Sequence, residues 1–504
     1  MTEKAATLTF LHFNDVYNVE PRKKEPVGGA ARFQTVLNRL KAEGLERDGV
    51  EPLVFFSGDA FSPSVLSQVT KGEHMAECLS MFGVAASVVG NHDLDHNIQT
   101  FERLVGVSGC PWLSSNLYER DTGKPLRPCL RKMIIEHGGH RIGLMGLVES
   151  AWVETLGSLD PDELLFHDPF EVGRELCREL REEDGCNIVI ALTHSRQPED
   201  QLLAEQVPEI DIILGGHDHH LELFRAGPRS TPVCKSGTDF QNITEIRLSI
   251  PAAADGAAAA TGGGGAGGEG VRPEITMVEP RPVLAAEEED KELVELVERV
   301  HGSLRPRLRR VIARIRTVMD GRFTEVRSRE TAVGNFFCDI CRERTGVDVV
   351  ILQGGTFRAD RPQGGGSYTL GDLMSMLPFP SPLLINRITG ANLLAALENG
   401  VSALPRFEGR FPQVSGLRFA FDVTQPPGSR IVPSSVQFPA PTPLDPEKLY
   451  TVAIPYYLAD GRDGYSSLRA DAPGNSEKVG VEESSTIVTL VRTHFRLIAA
   501  ANGF

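Results

Sequence analysis

Long apolar runs are missing from this 504-residue chain, and none approaches the ~18 residues of a membrane span, which excludes a spanning helix. Cysteine is sparse: eight residues are too few for a disulfide scaffold. Only Cys338 and Cys341 form a Cys-x-x-Cys. They lie in a helix-like stretch with no second pair at zinc-ribbon spacing, so they read as two small packing residues. Basic residues are in deficit, with 52 Lys+Arg against 68 Asp+Glu and a formal net charge of −16. That balance argues against a nucleic-acid polymer as partner, because backbone binding needs a basic face. A small anionic substrate remains compatible, since a few cations or metals reverse the field in one cleft. The start, MTEKAATLTFLHF, lacks a basic segment followed by an apolar core and cleavage site. No secretory signal is read there, and a cytoplasmic location is the expectation.

What is present is globular: 41% hydrophobic and 24% charged residues, at a length that suits two to four domains. Residues 252–270 are almost entirely Ala and Gly and read as a flexible surface insertion between strand-like runs. From Glu287 to Leu304, apolar residues fall at Leu293, Leu296, Val297, Val300 and Leu304, the spacing of an amphipathic helix. Acidic residues crowd its start and Arg its end, which suits the helix dipole. The expected organisation is an N-terminal domain over 1–285, a connecting helix over 286–309 and a C-terminal domain over 310–504.

The N-terminal part alternates short strands of Val, Ile, Leu and Phe with helices. Thr7–Phe13, Leu53–Phe56, Ala86–Val89, Asn187–Leu192 and Ile210–Leu214 read as strands of an α/β sheet buried on both faces. Polar residues of one kind follow them: Asn14-Asp15-Val16-Tyr17, Ser57-Gly58-Asp59, Gly90-Asn91-His92-Asp93-Leu94-Asp95, Thr193-His194 and Gly216-His217-Asp218-His219. Loops at the carboxyl ends of such strands converge on one crevice. Five loops carrying Asp, Asn and His make a divalent-metal site the economical reading. Oxygen and imidazole donors suit Zn, Mn, Fe, Co or Mg, and the absence of thiolates argues against a structural zinc.

The order Asp-x-[His], Gly-Asp, Gly-Asn-His-[Asp/Glu], His, Gly-His-x-His resembles the calcineurin-like metallophosphoesterases. The longer strings LTFLHFNDVY, GGAAR, GNHDLD and LGGHDHH are similar to the 5′-nucleotidase/UDP-sugar hydrolase branch. The resemblance implies a four-layered αββα sandwich followed by a separate C-terminal α/β domain that recognises the nucleoside. It implies two divalent metal ions, with Asp59 bridging them, Asp15 and His219 on the first, and Asn91, His194 and His217 on the second. His92 and Asp95 match the catalytic dyad. One position departs from the pattern: the family's His, two residues after the first Asp, is Tyr17 here. Three readings stand, namely a phenolate ligand, a water in its place with a weaker first site, or loss of activity.

In the C-terminal part, Arg329, Gln353, Arg358, Phe379, Tyr457 and Asp463 resemble the family's nucleoside site. The arginines match contacts to the ribose or phosphate side. Phe379 and Tyr457 match an aromatic clamp on the base, and Asp463 matches an acceptor for ribose hydroxyls. Gln353 replaces the family's Asn. The leading expectation is a metal-dependent hydrolase of small nucleotides. The alternatives are a 2′,3′-cyclic-nucleotide or nucleotide-sugar hydrolase, and a non-catalytic nucleotide sensor with a weakened first metal site.

Overall fold

The computed structural model describes residues 6–150, 163–250, 273–379, 382–439, 442–479 and 486–501. The Ala/Gly insertion at 252–270 lies outside the described residues. The chain divides into two compact units, Met1–His301 and Gly302–Phe504. The division falls inside the helix Lys291–Leu308. That helix starts four residues later than its apolar spacing suggested, because Asp290 Oδ1 accepts the Leu293 amide at 3.0 Å and caps it there.

The first unit is built on two six-stranded sheets. One runs in the order Glu274–Pro282, Asn242–Ile250, Ala6–Phe13, Leu53–Phe56, Val84–Val88, Trp112–Leu113. Its last four strands are parallel. The other runs Leu221–Ala226, Thr231–Ser236, Ile212–Gly215, Ile188–His194, His140–Val148, Lys132–His137, with the central four parallel.

Strand alternation sorts the layers. Phe13 packs edge-on against Phe33 and Phe82, on the helices Ala30–Asp48 and Glu73–Phe82. His12, one residue earlier, points the other way and meets Ser236 of the second sheet at 2.7 Å. On the second sheet, Val189 and Ala191 pack with Leu176 and Leu203 of the helices Pro169–Arg178 and Gln197–Gln206. Helices therefore cover the outer faces while the inner faces meet, which gives the four αββα layers.

The second unit carries a five-stranded sheet in the order Pro412–Ser415, Val349–Gln353, Leu449–Pro455, Leu383–Thr389, Ser476–Val479. A separate ribbon pairs Val311–Asp320 with Pro362–Thr369. Along Val349–Gln353, Val350 and Leu352 join one core with the helices Ala332–Thr345 and Ile487–Ala501, while Val349 and Ile351 join another with Gly390–Val401. All eight cysteines are buried, and Cys338 and Cys341 belong to the first of these cores. Among the described residues no helix is long and apolar enough to cross a membrane.

Candidate active site

Five segments at the carboxyl ends of parallel strands from both sheets of the first unit converge. Asp15, Asp59 and the Asn91-His92 pair follow strands of one sheet, and His217 and His219 follow Ile212–Gly215 of the other. His194 stands where the sequence reading puts it, at a strand end. It is the last residue of its strand, Ile188–His194. It continues the alternation of Ile188, Ile190 and Leu192, so its ring turns toward the first sheet, where Nδ1 meets the Ser57 carbonyl at 2.8 Å. Asp15, Asp59, His217 and His219 all have positive φ, between 53° and 83°, a conformation that non-glycine residues hold only under local constraint. Gly90 is required by close approach: a Cβ there would lie 2.2 Å from Asp59 Oδ1.

The donor atoms form two groups that share one oxygen. In the first group, His194 Nε2 lies 3.3 Å from Asp59 Oδ2, 3.2 Å from Asn91 Oδ1 and 3.3 Å from His217 Nδ1. Asn91 Oδ1 is also 3.0 Å from His217 Nδ1. The Ser57 carbonyl can only accept, so His194 Nδ1 carries a hydrogen, and once the ring gives up its second proton its Nε2 lone pair faces the cluster. Several electron-pair donors thus face one another with few hydrogens between them, and that is the arrangement a cation satisfies. Asp15, Asp59 and His194, all fully buried, present ligand atoms within 4.8 Å of one another. This donor set fits a divalent metal.

The titration behaviour agrees with that demand for positive charge. Burial opposes a charge on His194, yet Asp59 and Asp15 push its pKa up to about 10. Burial likewise opposes ionisation of Asp59, but His194, His92 and His217 outweigh it and hold the carboxyl below its ordinary range. His217 is pushed down to about 4 by burial and by His194.

The second group surrounds Tyr17. Its hydroxyl lies 2.9 Å from Asp15 Oδ1, 2.8 Å from Asp59 Oδ2 and 2.8 Å from His219 Nε2. His219 Nε2 is 3.3 Å from Asp15 Oδ1. Asp59 Oδ2 therefore belongs to both groups. A phenol has one hydrogen and cannot donate to two carboxylates at once. Burial, then Asp15 and Asp59, raise the Tyr17 pKa well above that of a free phenol.

His92 stands beside the shared carboxylate. Its backbone amide donates to Asp59 Oδ1 at 2.8 Å, and its Nδ1 pairs with Asp95 Oδ2 at 2.9 Å. The ring is partly exposed while Asp95 lies deeper.

Several supporting residues went unassigned in the sequence. Asp93 accepts the amides of Asp59, Ala60 and Gly90 at 2.8–2.9 Å, and so ties two of the metal-type loops together. It sits inside the Gly-Asn-His-Asp motif, where that signal was visible. Lys235 is buried beneath the loops of the second sheet. Its ammonium donates to the Ser195 and Gly216 carbonyls at 2.7 and 2.8 Å and pairs with Asp200 and Asp218 at 2.9 and 2.8 Å. A lone Lys in the apolar run Thr231–Ser236 was its only mark. His12 links the sheets through Ser236 and through Ser57 Oγ at 2.9 Å, and Ser57 Oγ in turn donates to the Leu214 carbonyl. Asp239 accepts the Tyr17 amide at 3.0 Å, which fixes the loop that carries the phenol. Glu149 accepts from Arg196 and lies 3.9 Å from His217 Nε2.

In the second unit, Tyr457 donates to Asp463 at 3.1 Å, and Asp463 itself has a φ of 53°. The Arg358 guanidinium lies 5.6 Å from the Phe379 ring centre and 5.5 Å from that of Phe323. Gln353 closes its strand with Oε1 buried and, among the described residues, without a hydrogen-bond partner. Arg329 stands apart: its side chain is mostly exposed and paired with Glu325. Arg327 holds the inward position instead. It lies 4.3 Å over Phe323, donates to the Phe407 carbonyl, has a buried Nε without a hydrogen-bond partner among the described residues and feels the charges of Asp360 and Asp463.

Two family models match the chain side by side: the calcineurin-like phosphoesterase model over residues 8–221, and the 5′-nucleotidase C-terminal domain model over residues 311–470. The chain belongs to the calcineurin-like phosphoesterases of the 5′-nucleotidase branch. This phosphoesterase is similar to a 5′-nucleotidase of Diplobatis ommata, 28% identical over 97% of this chain and 87% of that one. It is 27% identical to a snake venom 5′-nucleotidase of Gloydius brevicauda, over 93% of this chain and 84% of the relative. Among solved structures, the 5′-nucleotidase precursor of Thermus thermophilus superposes with a TM-score of 0.76 at 25% identity, covering 98% of this phosphoesterase and 96% of that chain.

Proposed function

We propose that this phosphoesterase hydrolyses phosphate esters of small nucleotides, as a 5′-nucleotidase does, with two divalent cations. The observation that carries the reading is the shared oxygen: Asp59 Oδ2 faces both His194 and Tyr17, the geometry of a bridging carboxylate. Asn91, His194 and His217 would complete one cation site with Asp59. Asp15 and His219 would complete the other, with Tyr17 where an imidazole is usual. The 5′-nucleotidase names of the full-length relatives support the substrate class.

When bound, such cations supply Lewis acidity toward phosphoryl oxygens and a nucleophile from water at neutral pH. The chain's own groups do the rest. Asp95 would orient the His92 ring through Nδ1. His92 then places positive charge, or a proton, at the leaving oxygen. Tyr457, Asp463, Gln353, Arg358 and Phe379, together with Arg327, are proposed to hold the nucleoside, and the unpartnered Gln353 and Arg327 atoms are the groups a ligand would satisfy. The base, the ester type and the metal are decided by one experiment. Metal-stripped protein receives Mn, Co, Zn or Mg across AMP, a nucleotide sugar and a 2′,3′-cyclic nucleotide, beside an Asp59→Asn control. Turnover of AMP that needs metal and is lost in the control supports the reading. Nucleotide binding without turnover under every metal points to the sensor, and hydrolysis retained by Asp59→Asn removes the bridging role.

A further inference from the structure

The phosphoesterase is acidic overall, yet one face of its second unit concentrates arginine. Arg305, Arg307, Arg309 and Arg310 lie at the end of the helix Lys291–Leu308 and just after it, and Arg314 and Arg316 follow on the strand Val311–Asp320. All six are exposed. Across the ribbon Arg314 faces Ser367, while Ile315 and Val318 face Gly366 and Gly364, so the partner strand sets no carboxylate against them.

The helix Ile487–Ala501 packs on the same strand and adds Arg492 and Arg496. Arg492 is partly buried and crowded by Arg496, Arg310 and Arg307, which places the three segments on one continuous surface. Among the described residues, none of these eight arginines forms an ion pair with a carboxylate. Glu343, the acidic side chain met by this helix, is 3.7 Å from His494.

The same strand and helix also carry exposed aliphatic side chains. Val318 is 59% exposed and Leu497 51%, with Val311 and Ile498 close to the same degree. Binding to single-stranded nucleic acid relies on aromatic faces for stacking, and the exposed apolar residues here include none. Guanidinium mixed with exposed aliphatic side chains suits a different surface: phosphate-bearing headgroups above an apolar boundary.

We propose that this arginine-aliphatic face docks the protein peripherally on membranes rich in anionic lipid. The guanidiniums engage headgroup phosphates and carboxylates, and Val318, Leu497 and Ile498 enter the boundary with the acyl chains.

Flotation of the full chain with vesicles tests it. Phosphatidylcholine vesicles with about a third phosphatidylserine should carry the protein up, pure phosphatidylcholine should not, and raised salt should release it. Arg307→Glu with Arg310→Glu should lower partitioning by at least about 25-fold, at roughly fivefold per lost arginine. The milder pair Arg310→Gln and Arg496→Gln guards against misfolding and should lower it in the same direction. Leu497→Ser with Ile498→Ser should weaken binding to anionic vesicles by about tenfold. Nucleotide hydrolysis in solution should stay unchanged in all three variants. Equal flotation with both vesicle types, no binding to either, or partitioning indifferent to the arginine pairs overturns the proposal. So does tighter binding to single-stranded DNA than to anionic vesicles.

Discussion

The Tyr17 hydroxyl lies 2.8 Å from Asp59 Oδ2, the same oxygen that faces His194 Nε2 at 3.3 Å. One carboxylate oxygen thus joins a phenol on one side to an imidazole on the other. The phenol binds a cation well only after losing a proton that burial and two carboxylates hold firmly. A neutral imidazole has no such requirement. Tyr17→His should therefore tighten the weaker of two metal-binding steps by at least about tenfold, or ~1.4 kcal/mol. Calorimetric titration of metal-stripped protein measures this. Absence of binding in both forms would remove the metal-dependent reading altogether.

His194 sets the pH dependence of metal uptake. Its folded pKa is raised to about 10, so without metal the ring is protonated below that value. His217, pushed down to about 4, is already neutral near pH 7. Binding at the site that holds both should release about one proton, and affinity should rise about tenfold per pH unit between roughly pH 6 and 9. Calorimetry in buffers of different ionisation enthalpy counts the proton. A count near zero would show that the His194 ring binds no proton in the metal-free fold.

Removing the buried cation at Lys235 should be costly. Lys235→Met leaves Asp200 and Asp218 facing each other's charge and strips donors from the Ser195 and Gly216 carbonyls. A loss of about 3–5 kcal/mol in denaturant unfolding is expected, with part of it restored by adding Asp200→Asn. Unchanged stability would mean that the ammonium contributes nothing net to holding the loop with His217.

Asp463→Asn should separate recognition from chemistry. Losing a charged acceptor costs about 1.5–3 kcal/mol per hydrogen bond, so KM for a nucleoside monophosphate should rise at least about tenfold. Metal content should not change. An unaltered KM would place the nucleoside elsewhere.

The residues that meet at the metal-type cluster were legible because each sits in a short motif at a strand end, and strand ends of this fold converge. An α/β sheet was legible for a related reason, since strands buried on both faces leave an apolar signature, whereas the four-layered αββα order came only with the family resemblance. Lys235 and His12 were not, since their roles depend on partners brought from distant parts of the chain, and Asp93, though inside a legible motif, gave no sign of the amides it accepts. Arg327 and Arg329 show the same limit on a smaller scale. They are two residues apart with the same side chain, and only the short helix Phe323–Val326 decides which turns inward over Phe323. The late start of the helix at Lys291 was likewise a capping decision by Asp290.

Every native thiol is enclosed, from Cys78 beneath the first sheet to Cys341 in the second unit's core, and burial raises the pKa of both. Maleimide chemistry therefore has no native target on the folded molecule. One surface cysteine introduced in each unit would accept a pair of dyes without any prior removal of natural residues. The distance between the units during a catalytic cycle then becomes an optical measurement on otherwise unaltered protein.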